Sequence, residues 1–121
     1  MSPAEVVQRQ LDAYNARDIE ALLATYAPDA TQHALHGELL AAGHDGMRPR
    51  FLARFAEPDL HAALLQRTVM GDWVIDHERI TRNFPEGRGR LEMLCVYEVR
   101  EGLIRRASFA PGPQVIEGAT P

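Results

Sequence analysis

The run WVIDHERITRNF holds the densest set of residues in this chain that can move protons or carry charge. Read as a strand, its alternation puts Trp73, Ile75, His77, Arg79 and Thr81 on one face and Asp76, Glu78 and Arg82 on the other. A turn centred near Glu86 and Gly87 sets Thr81 roughly opposite Glu92 of the next run, with Arg79 diagonal to that carboxylate. His77 is the best acid/base candidate here, because an unperturbed imidazole titrates near neutrality. His77, Arg79 and Glu92 thus form a candidate catalytic set. The bland reading of the same residues is a cross-strand ion pair on a solvated face.

Elsewhere the chemistry is sparser. Gln10 and Tyr14 fall on an apolar stripe, where a buried amide or phenol needs a partner or a wet pocket to face. Of five histidines, His33, His36 and His44 lie closest together. Residues three apart on a strand point to opposite faces, so His33 and His36 cannot share an ion without a bend, and no metal site is expected. The single cysteine, Cys95, excludes an internal disulfide, and within MLCVYEV it reads as a buried strand residue.

The elements that must position these groups follow from periodicity. Pro3 can open a helix in which Val6, Val7, Gln10, Leu11 and Tyr14 recur at helical spacing. Asp18 caps a short second helix marked by Ile19, Leu22, Leu23 and Tyr26, which must stop before Pro28. ATQHALHG suits a strand, and ELLAAGHDG the loop after it. Asp45 would cap a third helix, with Met47, Phe51 and Phe55 repeating every fourth residue and Pro49 near its first turn. The extended runs LHAALLQRTVMGD, WVIDHERITRNF, RLEMLCVYEVR and LIRRASF make the remainder an antiparallel sheet, the last one entered through Glu101-Gly102. Helices first and strands afterwards read as α+β, with three N-terminal helices packed on a curved, mostly antiparallel sheet. Such a sheet wrapped around a helix leaves a cavity at its open end.

The 121 residues suit one domain, with 111–121 a loosely packed tail rich in Pro and Gly. Seventeen acidic residues against thirteen basic ones, net charge −4, make nucleic acid an unexpected partner. The opening MSPAEVVQRQ has neither the basic start nor the apolar run of an export signal, and no stretch is apolar enough to span a membrane, so the cytoplasm is the expected address.

The opening VVQRQLDAYNARDIEALLATYAPDATQHALHG, the segment GHDGMRPRF and the closing VYEVREGLIRRASF together resemble the nuclear transport factor 2-like superfamily, in its SnoaL-like and steroid-isomerase-like branch. The resemblance implies a cone-shaped fold, frequent dimers, and members that isomerise, cyclise, hydrate or only bind. It also implies where those reactions keep their groups. The steroid isomerases' base matches Ala34, their oxyanion tyrosine matches Gln10, and their second acid falls near Val96. In the limonene-epoxide-hydrolase pattern Arg79 survives, while the two aspartates match Thr81 and Phe109. That correspondence turns Trp73, Ile75, His77 and Arg79 toward the cavity.

The expected ligand-binding set is then Gln10, Tyr14, Gln32, Trp73 and Phe109, around a small apolar organic molecule and without cofactor or metal. With both aspartates replaced, binding without chemistry is the first expectation. An isomerase, cyclase or hydratase using His77 with Arg79 or Glu92 is the second, and a structural or partner-binding module the third. A homodimer is expected, because the resemblance implies one and because an outer row of Met93, Cys95, Tyr97 and Val99 would need cover; the alternative is that this row faces the core.

Overall fold

The computed structural model describes residues 1–118. Helix α1 (Pro3–Asn15) starts with a capping box: the Ser2 hydroxyl accepts from the Glu5 amide at 3.2 Å, and the Glu5 carboxylate accepts from the Ser2 amide at 3.0 Å. Its expected stripe is buried at Val6, Val7, Gln10 and Leu11. Asp18 caps α2 (Ile19–Leu23), which ends earlier than its apolar spacing suggests. Tyr26 instead opens β1 (Tyr26–Ala34), because Pro28 drives the residue before it toward extended backbone.

Between β1 and the third helix lies β2 (Leu39–Ala42), a strand where a loop was expected. Only Ala41 of its four residues is buried, so it has no alternation to read. Helix α3 (Gly43–Phe55) is capped by Ala42 without a side-chain bond, not by Asp45. Gly43 has a φ of 69°, and a Cβ there would come within 3.2 Å of the Pro28 carbonyl oxygen, so the helix begins against β1 where only glycine fits easily. Pro49 lies inside the helix rather than in its first turn, which forgoes an amide bond. Three helices are present, but two strands separate the second from the third, so the helices do not all precede the sheet.

Strands β3 (His61–Met70), β4 (Trp73–Phe84), β5 (Gly87–Arg100) and β6 (Leu103–Pro111) follow, then the short β7 (Val115–Ile116). The seven form one curved open sheet ordered β2-β1-β6-β5-β4-β3, with β7 added beside β5. All pairings are antiparallel except β1 with β6. Two side-chain bonds fix α1 to this sheet. Asn15 donates to the Ala62 carbonyl and accepts from the Ala62 amide, both at 2.9 Å. Arg17 donates to the carbonyls of Phe55, Glu57 and Pro58, tying the end of α3 to the corner between α1 and α2.

The inner face of the sheet is set by cross-strand pairs Val74–Tyr97, Asp76–Cys95, Glu78–Met93 and Ile80–Leu91. Cys95, Tyr97 and Val99 are buried and Met93 is half-buried, so this row faces the core and not a partner. One cluster joins Val6, Val7, Leu22, Leu23, Tyr26, Met47, Tyr97 and Ile104; a second joins Leu11, Leu60, Ile80, Phe84 and Leu91. Tyr14, Phe55 and Met93 pack against both. The described part of the segment after Pro111, expected to be loosely packed, is mostly exposed and is paired to the sheet at β7. Ile116 and Val115 pair with Gly89 and Arg90, and a Cβ on Gly89 would stand 2.4 Å from the Val115 carbonyl oxygen. Residues 119–121 lie outside the described part of the chain.

Candidate functional site

The two apolar clusters do not close on each other. A cavity of about 440 Å³ remains, walled by members of both: Tyr26, Cys95 and Tyr97 from one, Leu11, Ile80 and Leu91 from the other. Helix α1 supplies Gln10 and Tyr14, β1 supplies Gln32 and Ala34, and β6 supplies Phe109. Toward solvent the lining becomes polar, with Arg50 and Arg54 of α3, Arg82 of β4, and Gln114 from the segment before β7.

In the depth of this cavity stands Glu78, 4% exposed, whose Oε2 has no hydrogen-bond partner among the described residues. Burial pushes its carboxyl up from 4.5 to about 7; the neighbouring Asp76 charge adds to the rise, while Arg67 and the Cys95 thiol oppose it. Asp76 itself is fully buried and held by Arg67 through two bonds of 2.7 and 2.9 Å, with Arg67 also donating to Gln8 at 2.9 Å. The pair therefore keeps one charge neutralised and leaves Glu78 without a counterion. Burial also pushes the Cys95 thiol well up, so it stays protonated and is no nucleophile.

Three phenols share the cavity with this acid: Tyr14, Tyr26 and Tyr97. Burial raises all three, so each keeps its proton and remains a donor. Tyr97 donates to Gln10 at 3.4 Å, and Tyr26 accepts from Gln32 at 3.3 Å. Tyr14 makes no hydrogen bond among the described residues, and its ring is fixed edge-on by Phe51 and Phe55 at 6.3 and 5.7 Å. The geometry thus joins an unpaired carboxyl, a free phenol donor and an apolar wall.

Gln10, Tyr14, Gln32 and Phe109, selected from the sequence as ligand-facing, all line this cavity. Trp73, His77, Arg79 and Glu92 do not. The strand alternates as expected, but the inward face is the other one: Val74, Asp76, Glu78 and Ile80 point to the core, and Trp73 is 42% exposed outside. His77 and Glu92 do meet, at 2.6 Å, on the outer face with side chains 38% and 60% exposed. The hairpin turns tightly at Pro85-Glu86, so Arg79 and not Thr81 stands opposite Glu92. Val96, where the resemblance placed a second acid, pairs with the outward Ile75. Glu78 was missed. The signal that finds it is the opposing row Leu91, Cys95, Tyr97 and Val99, whose apolar character marks the inner face independently of any correspondence at Arg79.

Two further features concern metals and membranes. No group of three potential metal ligands comes together among the described residues, where His33 bonds Thr31 and His44 bonds the Tyr26 carbonyl. No helix there is long and apolar enough to cross a membrane.

A SnoaL-like domain profile matches residues 7–107, and the chain belongs to that family. Three solved structures share its fold. An uncharacterised cystatin-fold protein from Novosphingobium aromaticivorans is 26% identical, with TM-score 0.84 over 91% of this chain and 98% of that one. IdmH of Streptomyces antibioticus, a candidate polyketide cyclase, is 19% identical with TM-score 0.78 over 92% of each chain. A hypothetical protein with a ketosteroid isomerase-like fold from Catenulispora acidiphila, in complex with trimethylamine, is 16% identical with TM-score 0.76, over 88% of this chain and 84% of that one. No curated protein matches the sequence at a comparable level.

Proposed function

We propose that this protein is an acid–base catalyst that removes and returns a proton next to the carbonyl of a small, largely apolar substrate, in the manner of an isomerase or cyclase. The observation that carries the reading is Glu78: buried, aimed into the cavity, unpartnered at Oε2, and titrating at about 7. Its carboxylate takes the proton as the carbon–hydrogen bond breaks, and the electron pair moves onto the carbonyl oxygen. The Tyr14 hydroxyl donates to that developing oxyanion. The proton then returns from Glu78 at another carbon, or the enolate carbon closes a ring onto a second carbonyl, whose oxygen takes the proton back from Glu78. Similarity to structures described as isomerase-like and as a cyclase supports the class of reaction without fixing the substrate. This reading replaces binding without chemistry, and it moves the acid/base role from His77 to Glu78.

The experiment follows exchange of carbon-bound hydrogen for solvent deuterium by NMR, using 2-tetralone and bicyclic β,γ-unsaturated ketones as probes. Wild type accelerates exchange, with a rate that rises with pH through about 7 as Glu78 loses its proton. Glu78→Gln lowers that rate ~100-fold or more, whereas His77→Gln leaves it within about twofold. Exchange that survives in the Glu78→Gln protein removes the mechanism.

A homodimer belongs to the same proposal, through the outer face of the sheet and not through the row at Cys95. Met70, Trp73, Ile75 and Leu94 are exposed together there, where neighbours in register place them on one surface. Light scattering at micromolar concentration is expected to give twice the chain mass, and Trp73→Asp to give the single mass; a wild-type monomer refutes it.

A further inference from the structure

We propose that the cavity takes an organic acid: an apolar body with its carbonyl at Glu78 and a carboxylate at the entrance, held by Arg50. The proposal rests on the proton-transfer reading of Glu78 and adds the charge of the substrate to it. The chain as a whole is acidic, at net charge −4, yet the charged side chains lining this cavity are Arg50, Arg54, Arg82 and Glu78. Two of the arginines are already engaged by one carboxylate. Arg82 forks onto Glu57 at 2.9 and 2.7 Å, and Arg54 reaches the same group at 3.3 Å, so these two guanidinium groups share a single fixed anion.

Arg50 is the one left over. It forms no ion pair or hydrogen bond among the described residues, although Arg48 on the same helix is paired with Glu20. It stands one helical turn before Arg54, on the same side of α3. A planar guanidinium with free donors matches a carboxylate in both charge and shape. The depth of the cavity is hostile to the same group, since Glu78 and the buried Asp76 would repel it and no cation there is free. An anion is therefore directed to the entrance and the uncharged, reactive part of the molecule to the interior. Phe51 and Phe109, also in the lining, supply apolar surface.

The test measures binding of naphthalene-2-carboxylate and of its uncharged amide, two probes of nearly equal shape, by NMR titration. Wild type is expected to prefer the carboxylate about tenfold, as a charge-assisted contact predicts. Arg50→Gln should bring the two probes to near parity while leaving the amide's affinity unchanged. Equal affinities in wild type, an unchanged preference in Arg50→Gln, or no binding of either probe each overturns the proposal. Its fate is separable from that of the catalytic reading. Deuterium exchange that collapses in Glu78→Gln while the carboxylate preference is absent sinks only the inference about Arg50. Exchange that persists in Glu78→Gln sinks the mechanism and leaves the affinity ratio to be read by itself.

Discussion

Strand β4 carries acid/base groups on both of its faces, and the two faces place them in different surroundings. On the outside His77 and Glu92 form a close pair in solvent. On the inside, one residue along, Glu78 has no partner for Oε2 among the described residues and is raised to about 7. The residue types would rank the histidine first, because its ordinary pKa already lies near neutrality. Environment reverses the ranking: the outer pair stands exposed to solvent, whereas the inner carboxyl is buried with a second acid nearby. Proximity of two titratable groups is thus a weaker sign of chemistry than the isolation of one.

The largest test of this contrast is the exchange rate itself, expected to fall ~100-fold in Glu78→Gln and hardly at all in His77→Gln. A reversal of those two results would break the comparison outright.

A second test reads the same difference as stability. The folded protein holds the Glu78 proton up to about pH 7, while the unfolded chain releases it near 4.5. Between these values the folded state binds more protons, so this group's contribution is intact below about 4.5 and is lost as pH rises through 7. The loss is on the order of 3 kcal/mol. Urea unfolding at pH 4.5 and pH 8 should therefore show Glu78→Gln gaining stability over wild type by roughly that amount at the higher pH. An unchanged difference between the two proteins at both pH values would mean that Glu78 is solvated after all.

The smallest effect belongs to the outer pair. A double-mutant cycle on His77→Ala and Glu92→Ala should return a coupling of about 0.2–1 kcal/mol, as for other exposed pairs. A coupling of several kcal/mol would give the outer face an importance that its exposure denies.

Much of the scaffold was legible from residue patterns. The α1 stripe, the Asp18 cap and the strand runs from Leu60 onward each have a strong local period or a capping group. Strand β2 was not, because four residues with a single buried member carry no period. The start of α3 was hidden for another reason: Gly43 is required by the approach of β1, a contact between segments that no window along the chain contains. The site divides in the same way. Gln10 and Tyr14 could be chosen because a polar group on an apolar helix stripe is conspicuous. Glu78 could not be chosen by alternation alone, since the two faces of β4 differ by one residue of phase and both hold charge and apolar groups. Only the strand beside it breaks the tie.

The bond pair between Asn15 and Ala62 has a bearing on how the molecule meets its own copies. Strand β3 ends the sheet on one side, and an end strand offers bare amides and carbonyls to any other extended chain. The Asn15 side chain occupies that position at Ala62 with one donor and one acceptor, as a neighbouring strand would. At the opposite end β2 is only four residues long, too short to template much. The β3 edge is therefore closed to a further strand at Ala62, and the opposite border offers too short a strand to extend the sheet far.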